Sequence, residues 1–470
     1  MGLIGMELTD AGIMAANEPS TLLVLDGPSK ESPGYALPLK GRLLVGREAQ
    51  GKARLYPLQS HNRFWDQLST EPLSQPGTLA KNHAELAFAH LAAIWQRIGS
   101  EVDGLILAVP GYLERHQLGL IVSMAEELSM PLRGMVGMGL AAVSKSRPEH
   151  LLLYLDIHLH RAEVTYIEQG DRLTQKESLT AEGKGLAFLQ EAYVKVVAEE
   201  FIQATRFDPL HRAESEQALY DRLPEILEGL SIQPSVIFEM IGGDRSYRVH
   251  LPRDRFVHQS GEVFREIRQM VAAMEQEHGN PGQGVSLLLS QRVSRVPGCR
   301  EMLLPVPGLQ INELEPGSGA QGALALVEQF PPEAEKGPVS YLNSRPLTGG
   351  RVLSSSHAGI LETSRKPPTH ILYGNEAYPL SEEPLVIGTG RVEEGVLLRI
   401  KAPGEGIDPK HFTVQRDGPH VVLTDHSTHG TYVDGVRVYG QHVLEPGQVV
   451  RVGTPGHELK LIVCVGKDET

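Results

Sequence analysis

Apolar and polar positions fall into two textures along the chain. Up to residue 329, apolar runs of strand length exchange with longer stretches in which Leu, Ala, Val and Phe recur at helical spacing. From residue 369 onward only short alternating segments remain, broken by Gly, Pro and Asp every ~8–12 residues, and no helical period survives. The first texture predicts an α/β domain over 1–329 with a mainly parallel sheet, the second an all-β sandwich over 369–470. Residues 330–368, rich in Pro, Gly, Ser and charge, read as a linker.

The stretch 151–170, LLLYLDIHLHRAEVTYIEQG, organises the first domain. An apolar run delivers Asp156 into the turn Ile157-His158-Leu159-His160-Arg161 and alternation resumes at Ala162, so the stretch reads as a β-hairpin. A buried strand that carries an acid into a turn can present a carboxylate to a metal-bound phosphate. The turn must then let backbone N–H groups close on the phosphates, which needs glycine, and this turn has none. Around it, residues 3–16 and 21–25 begin a meander. Residues 78–98, 115–128, 208–230 and 263–278 predict helices, as does a run after Gly185 reaching about Thr205. Residues 104–110 and 285–290 predict buried strands, residues 235–257 a hairpin around Gly242-Gly243-Asp244, and a small-residue helix begins at Pro316 and ends near Gln329.

A chain of 470 residues exceeds what one hydrophobic core holds, which agrees with the two textures. A formal charge of −14 and a pI near 5.8 argue against nucleic acid or an anionic membrane as the main partner. No apolar run approaches the ~20 residues that span a bilayer, and residues 1–20 lack the pattern of a signal peptide, so a cytoplasmic location is expected. Two distant cysteines, Cys299 and Cys464, suit neither a disulfide framework nor a zinc site.

Several constellations carry candidate chemistry beside a plainer reading. Glu7 and Asp10, near the first bend, are metal-facing acids or, as expected of turn residues, solvated ones. The segment His61-Asn62-Arg63-Phe64-Trp65 reads as a packing corner more readily than as a docking element. Spaced glycines over 134–139 lie between helical runs with no strand before them, and read as a turn. Gly183, Lys184 and Gly185 precede a helix whose free N–H groups would suit an anion. His158 and His160 share a face if the strand continues, yet no third ligand accompanies them, and no metal is expected.

Taken in order, these segments resemble the actin-like ATPase superfamily over residues 3 to about 328, and within it the DnaK-type heat-shock chaperones. Ile4-Gly5-Met6-Glu7-Leu8-Thr9-Asp10 stands where that family has its first phosphate hairpin, and Leu107 to Tyr112 looks like the connecting strand with its proline. Residues 137–144 precede the second phosphate hairpin, whose acid-bearing strand matches Leu153-Tyr154-Leu155-Asp156. Residues 287–297 resemble the adenosine-side strand and turn, and 315–323 the closing helix. The resemblance implies two ribonuclease-H-like lobes with nucleotide between them. The departures fall on the chemistry: Thr9-Asp10 replaces the first hairpin's glycine-threonine, Ile157-His158-Leu159 replaces a triple glycine, Leu289-Ser290 replaces a glycine pair, and the base-binding helix reads Leu223-Pro224-Glu225-Ile226-Leu227-Glu228 without lysine. Three glycine sites lost together imply a pseudo-ATPase with no cofactor. The alternative is a slow Mg-ATP switch in which Glu7, Asp10 or Asp156 holds the ion and Thr9, Gly183, Lys184 and Gly185 contact the nucleotide.

The last ~100 residues resemble a forkhead-associated (FHA) domain, a β-sandwich that reads phosphothreonine peptides through its end loops. Gly388, His411, Gly430, Thr431 and Gly435 match. The phosphate readers differ: Thr389 stands for an arginine, Asp408 and Pro409 for a serine and an arginine, and His429 for an asparagine. An aspartate in that pocket repels a dianion, so ordinary phosphothreonine binding is expected to be weak unless Arg391, Lys410 and His429 rebuild a basic site around His411 and Thr431. The expectation is a non-catalytic scaffold or regulatory protein with protein partners and possible self-association, the alternatives being the ATP-dependent switch and a phosphothreonine reader.

Overall fold

A computed structural model of the chain describes residues 2–73, 79–99, 102–143, 150–280, 282–306, 308–331, 339–346, 367–373, 376–390, 396–400, 406–418, 420–433, 436–438, 440–444, 447–453 and 456–462. The chain divides into two compact units, residues 1–359 and 360–470.

The first unit is built on two sheets that share a plan. In one, β1 (Gly2–Leu8) and β2 (Gly12–Asn17) form an antiparallel hairpin, and β3 (Val102–Val109) and β4 (Leu132–Gly137) extend it in parallel from β1. In the other, β5 (His150–Ile157), β6 (Arg161–Gln169) and β7 (Arg172–Glu182) form an antiparallel meander, and β8 (Gly284–Leu289) and β9 (Leu309–Glu313) extend it in parallel from β5. Helices α1 (His83–Ile98) and α2 (Arg115–Glu127) cover the outer face of the first sheet. Helix α1 begins where Asn82 accepts the Glu85 N–H at 2.8 Å while Glu85 accepts the Lys81 N–H at 2.8 Å, and it buries Leu86, Ala87, Leu91 and Ile94 against Ile4, Met6 and Leu107. Helices α3 (Leu186–Thr205), α4 (Ala213–Ile232) and α5 (Arg253–His278) cover the second sheet, joined by a hairpin of Ser235–Gly242 and Arg245–Pro252.

Between the sheets lie the short helix Met138–Ala142 and α6 (Ser318–Ala325), in a core that joins Ile106 and Val136 to Leu152, Tyr154 and Leu288. The small residues of α6 are what permits this. A Cβ on Gly5 would stand 2.0 Å from the Ala320 carbonyl oxygen, and one on Gly322 would stand 1.9 Å from that of Ala141. Backbone therefore packs directly on backbone, and the start of α6 is held against β1.

Some boundaries differ from the sequence reading. Helix α5 starts at Arg253, ten residues earlier than expected, because Phe256, Ser260, Val263, Phe264 and Ile267 form one buried helical stripe. Residues 134–137 belong to strand β4 rather than a turn, since Gly134 leaves room for the ring of Phe330 and Gly137 for Gln175. Phe64 and Trp65 are buried, which makes that segment a packing corner. In the stretch assigned to the linker, Ser340–Leu342 pairs with β4 and Ser344–Pro346 with β7; residues 332–338 and 347–366 of it lie outside the described residues.

The second unit is all β. One sheet contains β10 (Leu385–Gly388), β11 (Phe412–Asp417) and β12 (His420–Asp425), with Val396–Arg399 and Gln441–Leu444 at its edges. The other contains β13 (Thr431–Val433) beside Val436–Val438 and Val449–Val452, then His457–Ile462, His370–Tyr373 and Glu376–Pro379. Alternate residues Leu385 and Ile387, Phe412 and Val414, Val421 and Leu423 meet Ile371, Val450, Val452, Leu459 and Leu461 in one core.

Candidate functional site

The β1–β2 bend and the β5–β6 turn meet through Asp10. Its two carboxylate oxygens accept the N–H groups of Leu159, at 2.7 Å, and His160, at 3.0 Å. Asp10 is 1 % exposed and Glu7 4 %, so neither is the solvated turn residue expected of it. Thr9 is consumed locally: its hydroxyl donates to the Gly12 carbonyl at 2.9 Å. The Leu159 side chain leaves the turn for a small apolar cluster with Tyr35, Leu37 and Leu44, and Leu8 sits in the core of the first sheet. A side-chain carboxylate therefore holds the amides of the second turn.

Next to it lies an ion cluster centred on Arg292, which follows β8. The guanidinium reaches Asp156 at 3.2 Å, Glu7 at 3.1 Å and Glu31 at 3.5 Å. Asp156 also accepts from the Ser290 hydroxyl at 2.5 Å, the Ile157 N–H at 2.8 Å and the Tyr154 hydroxyl at 3.2 Å. Burial opposes its charge, but Arg292, His158 and these donors outweigh burial and hold the carboxyl below its usual range. Glu7 accepts the first amides of α6, Gly319 at 3.1 Å and Ala320 at 3.3 Å, so a side chain of the same unit caps that helix. Burial raises the Glu7 carboxyl despite Arg292.

His158 is fully buried between two acids. Its Nε2 is 2.9 Å from Glu163 and its Nδ1 is 3.9 Å from Asp156. Burial opposes the imidazolium, yet Asp156, Glu163 and Asp10 together raise its pKa. The rings of Tyr112 and His158 meet edge to face at 5.2 Å, and Arg161, paired with Asp66 at 2.6 Å, lies over the Tyr112 ring. His160 points elsewhere, with Nε2 3.1 Å from the Asn62 carbonyl, so the two histidines do not share a ligand position.

The glycine-flanked start of α3 is also engaged. The Leu186 and Ala187 N–H groups donate to the carbonyls of His158 and Leu159, both at 2.8 Å, and a Cβ on Gly185 would stand 2.4 Å from the Leu159 oxygen. Gly183 takes a positive φ of 70°, and Lys184 pairs with Glu262 at 2.5 Å. A cavity of about 410 Å³ lies farther along, lined by Tyr35, Arg47, Arg54, Tyr220 and Asp221 among others.

A Ser–His pair elsewhere in this unit has the wrong polarity for a nucleophile. Trp65 Nε1 donates to His90 Nδ1 at 3.0 Å, so His90 Nε2 carries the proton and donates to Ser32 Oγ at 2.9 Å. The Ser32 hydroxyl then donates to Asp26, and burial holds the His90 pKa down to about 4.

In the second unit the loop ends converge on Asp408. Its carboxylate accepts the Thr428 N–H at 2.6 Å and the Thr428 hydroxyl at 3.0 Å. Its N–H donates to His411 Nδ1 at 3.1 Å, which leaves the proton on Nε2, 3.3 Å from the Gly430 carbonyl. With Nδ1 accepting that N–H the buried imidazole is neutral, burial lowers its pKa in the same sense, and its 3.7 Å approach to the Asp408 carboxylate is not an ion pair. Thr431 donates to Asp425 at 2.7 Å, and a Cβ on Gly388 would stand 2.3 Å from the Pro409 oxygen. Lys410 and His429 are exposed at the same end; Arg391 lies outside the described residues.

Residues 386–453 match the FHA domain family. Such a domain points to binding of other proteins. No curated protein matches the chain. Within the FHA domain, His411, Gly430 and Thr431 brace the loops, and Lys410, His429 and Thr428 offer side chains to solvent. The sequence reading missed Asp425 and Thr428 here and Arg292, Ser290, Glu163 and Tyr112 in the first unit. Polar residues in turns give no signal of burial; the one available cue was Asp408, a carboxylate that needs a donor close by.

Proposed function

We propose that this chain is a scaffold or regulatory interaction protein: an actin-like, DnaK-related domain without nucleotide chemistry, followed by an FHA domain that takes a protein partner without reading phosphothreonine. The observation that carries the first half is Asp10 on the Leu159 and His160 amides, the groups a phosphate would need. The two sheets of the first unit, each an antiparallel hairpin or meander continued by parallel strands, support the actin-like reading. The residues present do not fit Mg-ATP. Glu7 and Asp156 are already bound to Arg292, Glu7 covers the first amides of α6, and the start of α3 is closed by the β5–β6 turn. A triphosphate would have to displace a carboxylate or a backbone carbonyl from the donors it sought, and each displaced carboxylate would be left buried beside it.

For the FHA domain, the Asp408 carboxylate on Thr428 puts a negative group where a phosphate dianion would seek donors. The competing reading, a phosphothreonine reader, is favoured by the family match and by the retained His411, Gly430 and Thr431. Capture by the full chain from extract of its own cell, with and without prior phosphatase treatment, separates the two. Retention of the same partner from both extracts is expected. Loss of the partner on dephosphorylation would make the domain a phosphopeptide reader.

A further inference from the structure

We infer that Glu177, Glu277 and His278 form a binding site for a borderline divalent ion such as Zn²⁺, on the face of the second sheet away from the ion cluster of Arg292. Glu177 stands on β7, and Glu277 and His278 close the last turn of α5. One ligand atom of each lies within 4.8 Å of the other two. His278 Nε2 and Glu177 Oε2 are 3.2 Å apart. Two ligands held at Zn–N and Zn–O distances of about 2.1 Å on a tetrahedron are separated by about 3.4 Å, so this pair is already close to one tetrahedral edge. A small movement of the exposed Glu277 carboxylate supplies the third ligand and leaves a fourth position for water.

Three further observations favour an ion over a plain hydrogen bond. The ring of Tyr166 stacks on His278 at 4.2 Å and 12°, which fixes the imidazole plane and the direction of Nε2 before any ion arrives. Two carboxylates meet at the C-terminal end of a helix, where the dipole is negative and a cation is favoured. Lys176, the nearest cation in sequence on β7, pairs with Glu168 at 3.0 Å instead of with either acid. His278 and Glu177 are half-buried, so an ion has access while losing part of its water shell. One imidazole with two carboxylates suits Zn²⁺, Co²⁺ or Ni²⁺ better than Mg²⁺ or Ca²⁺, which take all-oxygen shells. Binding would replace the His278–Glu177 hydrogen bond by two bonds to the metal, with the proton of the neutral ring placed on Nδ1 by exchange through solvent, and would tie the end of α5 to β7. No sequence spacing announces the site, because Glu177 and His278 are 101 residues apart.

The test is titration of the full chain, first stripped with a chelator, with Zn²⁺ alone against a chromophoric competitor. The wild-type chain, His278→Ala and Glu177→Gln are compared, with melting curves recorded to establish that both variants fold. One ion per chain is expected, with affinity falling about 100-fold in His278→Ala and about tenfold or more in Glu177→Gln, and unaffected by equimolar Mg²⁺. Absence of a one-to-one site in the wild-type chain, or equal affinity in folded His278→Ala, would overturn the assignment.

Discussion

Replacing Arg292 by methionine removes the cation on which the ion cluster is built. The side chain is 12 % exposed, its partner Asp156 is fully buried and the side chain of Glu7 alone is 6 % exposed, so solvent screens these pairs little. Removing one partner of such a pair costs about 3–5 kcal/mol, because the remaining charges stay buried without compensation. Two features place this case at the lower end. Asp156 keeps the Ser290, Ile157 and Tyr154 donors, and Glu7 keeps the amides of α6. The third partner, Glu31, is 37 % exposed and adds little. A loss of about 3 kcal/mol is therefore expected. Urea unfolding of the full chain followed by tryptophan emission measures it, since both tryptophans, Trp65 and Trp95, lie in the first unit. The midpoint should fall at unchanged slope. Adding Asp156→Asn should recover about 1–3 kcal/mol relative to the sum of the single losses, because the two changes remove one interaction between them. A loss below about 1 kcal/mol for Arg292→Met, typical of a screened surface pair, would refute the buried cluster.

The remaining expectations concern protons and the FHA loops. His158 has a raised folded pKa, so its contribution is full below the unfolded value of 6.5 and is lost as pH rises through the folded one. His158→Gln should flatten the decline of the urea midpoint above pH 6.5, and equal slopes would count against the charged imidazole. His90 runs the other way: its pKa is lowered to about 4, so stability falls as pH drops from 6.5 toward 4, by about 3 kcal/mol in all. Its protonation should break the Trp65 bond and shift tryptophan emission in the acid limb of the same titration; emission unchanged down to unfolding would contradict the assigned tautomer. In the second unit, Asp408→Ala should cost about 1 kcal/mol and accelerate hydrogen exchange at the Thr428 amide about tenfold, read by exchange mass spectrometry. Unaltered exchange there would mean that Asp408 does not hold the loop.

Much of the frame was legible because periodicity is local. The apolar run before Asp156 and the alternation after Ala162 gave the β5–β6 hairpin, and the stripe Leu86, Ala87, Leu91, Ile94 gave α1. The FHA domain was legible because its loop residues stand at fixed offsets, with His411, Gly430 and Thr431 each serving one turn. The site was only half legible. The absence of glycine from the two bends could be read directly, but not which side chain holds the amides there. Asp10 and Leu159 are 149 residues apart, and Arg292 and Glu7 are 285 apart, so neither contact leaves a spacing signal. Polar residues beside turns are exposed in most chains, and here the close approach of β1 to α6, allowed by Gly5 and Gly322, encloses Glu7 instead.

The central claim is that the groups a triphosphate would use are already held by this chain's own carboxylates and carbonyls. Calorimetric titration of the full chain with Mg-ATP tests it most directly. The expected result is no heat beyond dilution up to about 1 mM nucleotide, where even a complex worth only about 4 kcal/mol would be half formed. Saturable one-to-one binding at micromolar concentration would show that Asp10 and Arg292 yield to the nucleotide, and would contradict the account.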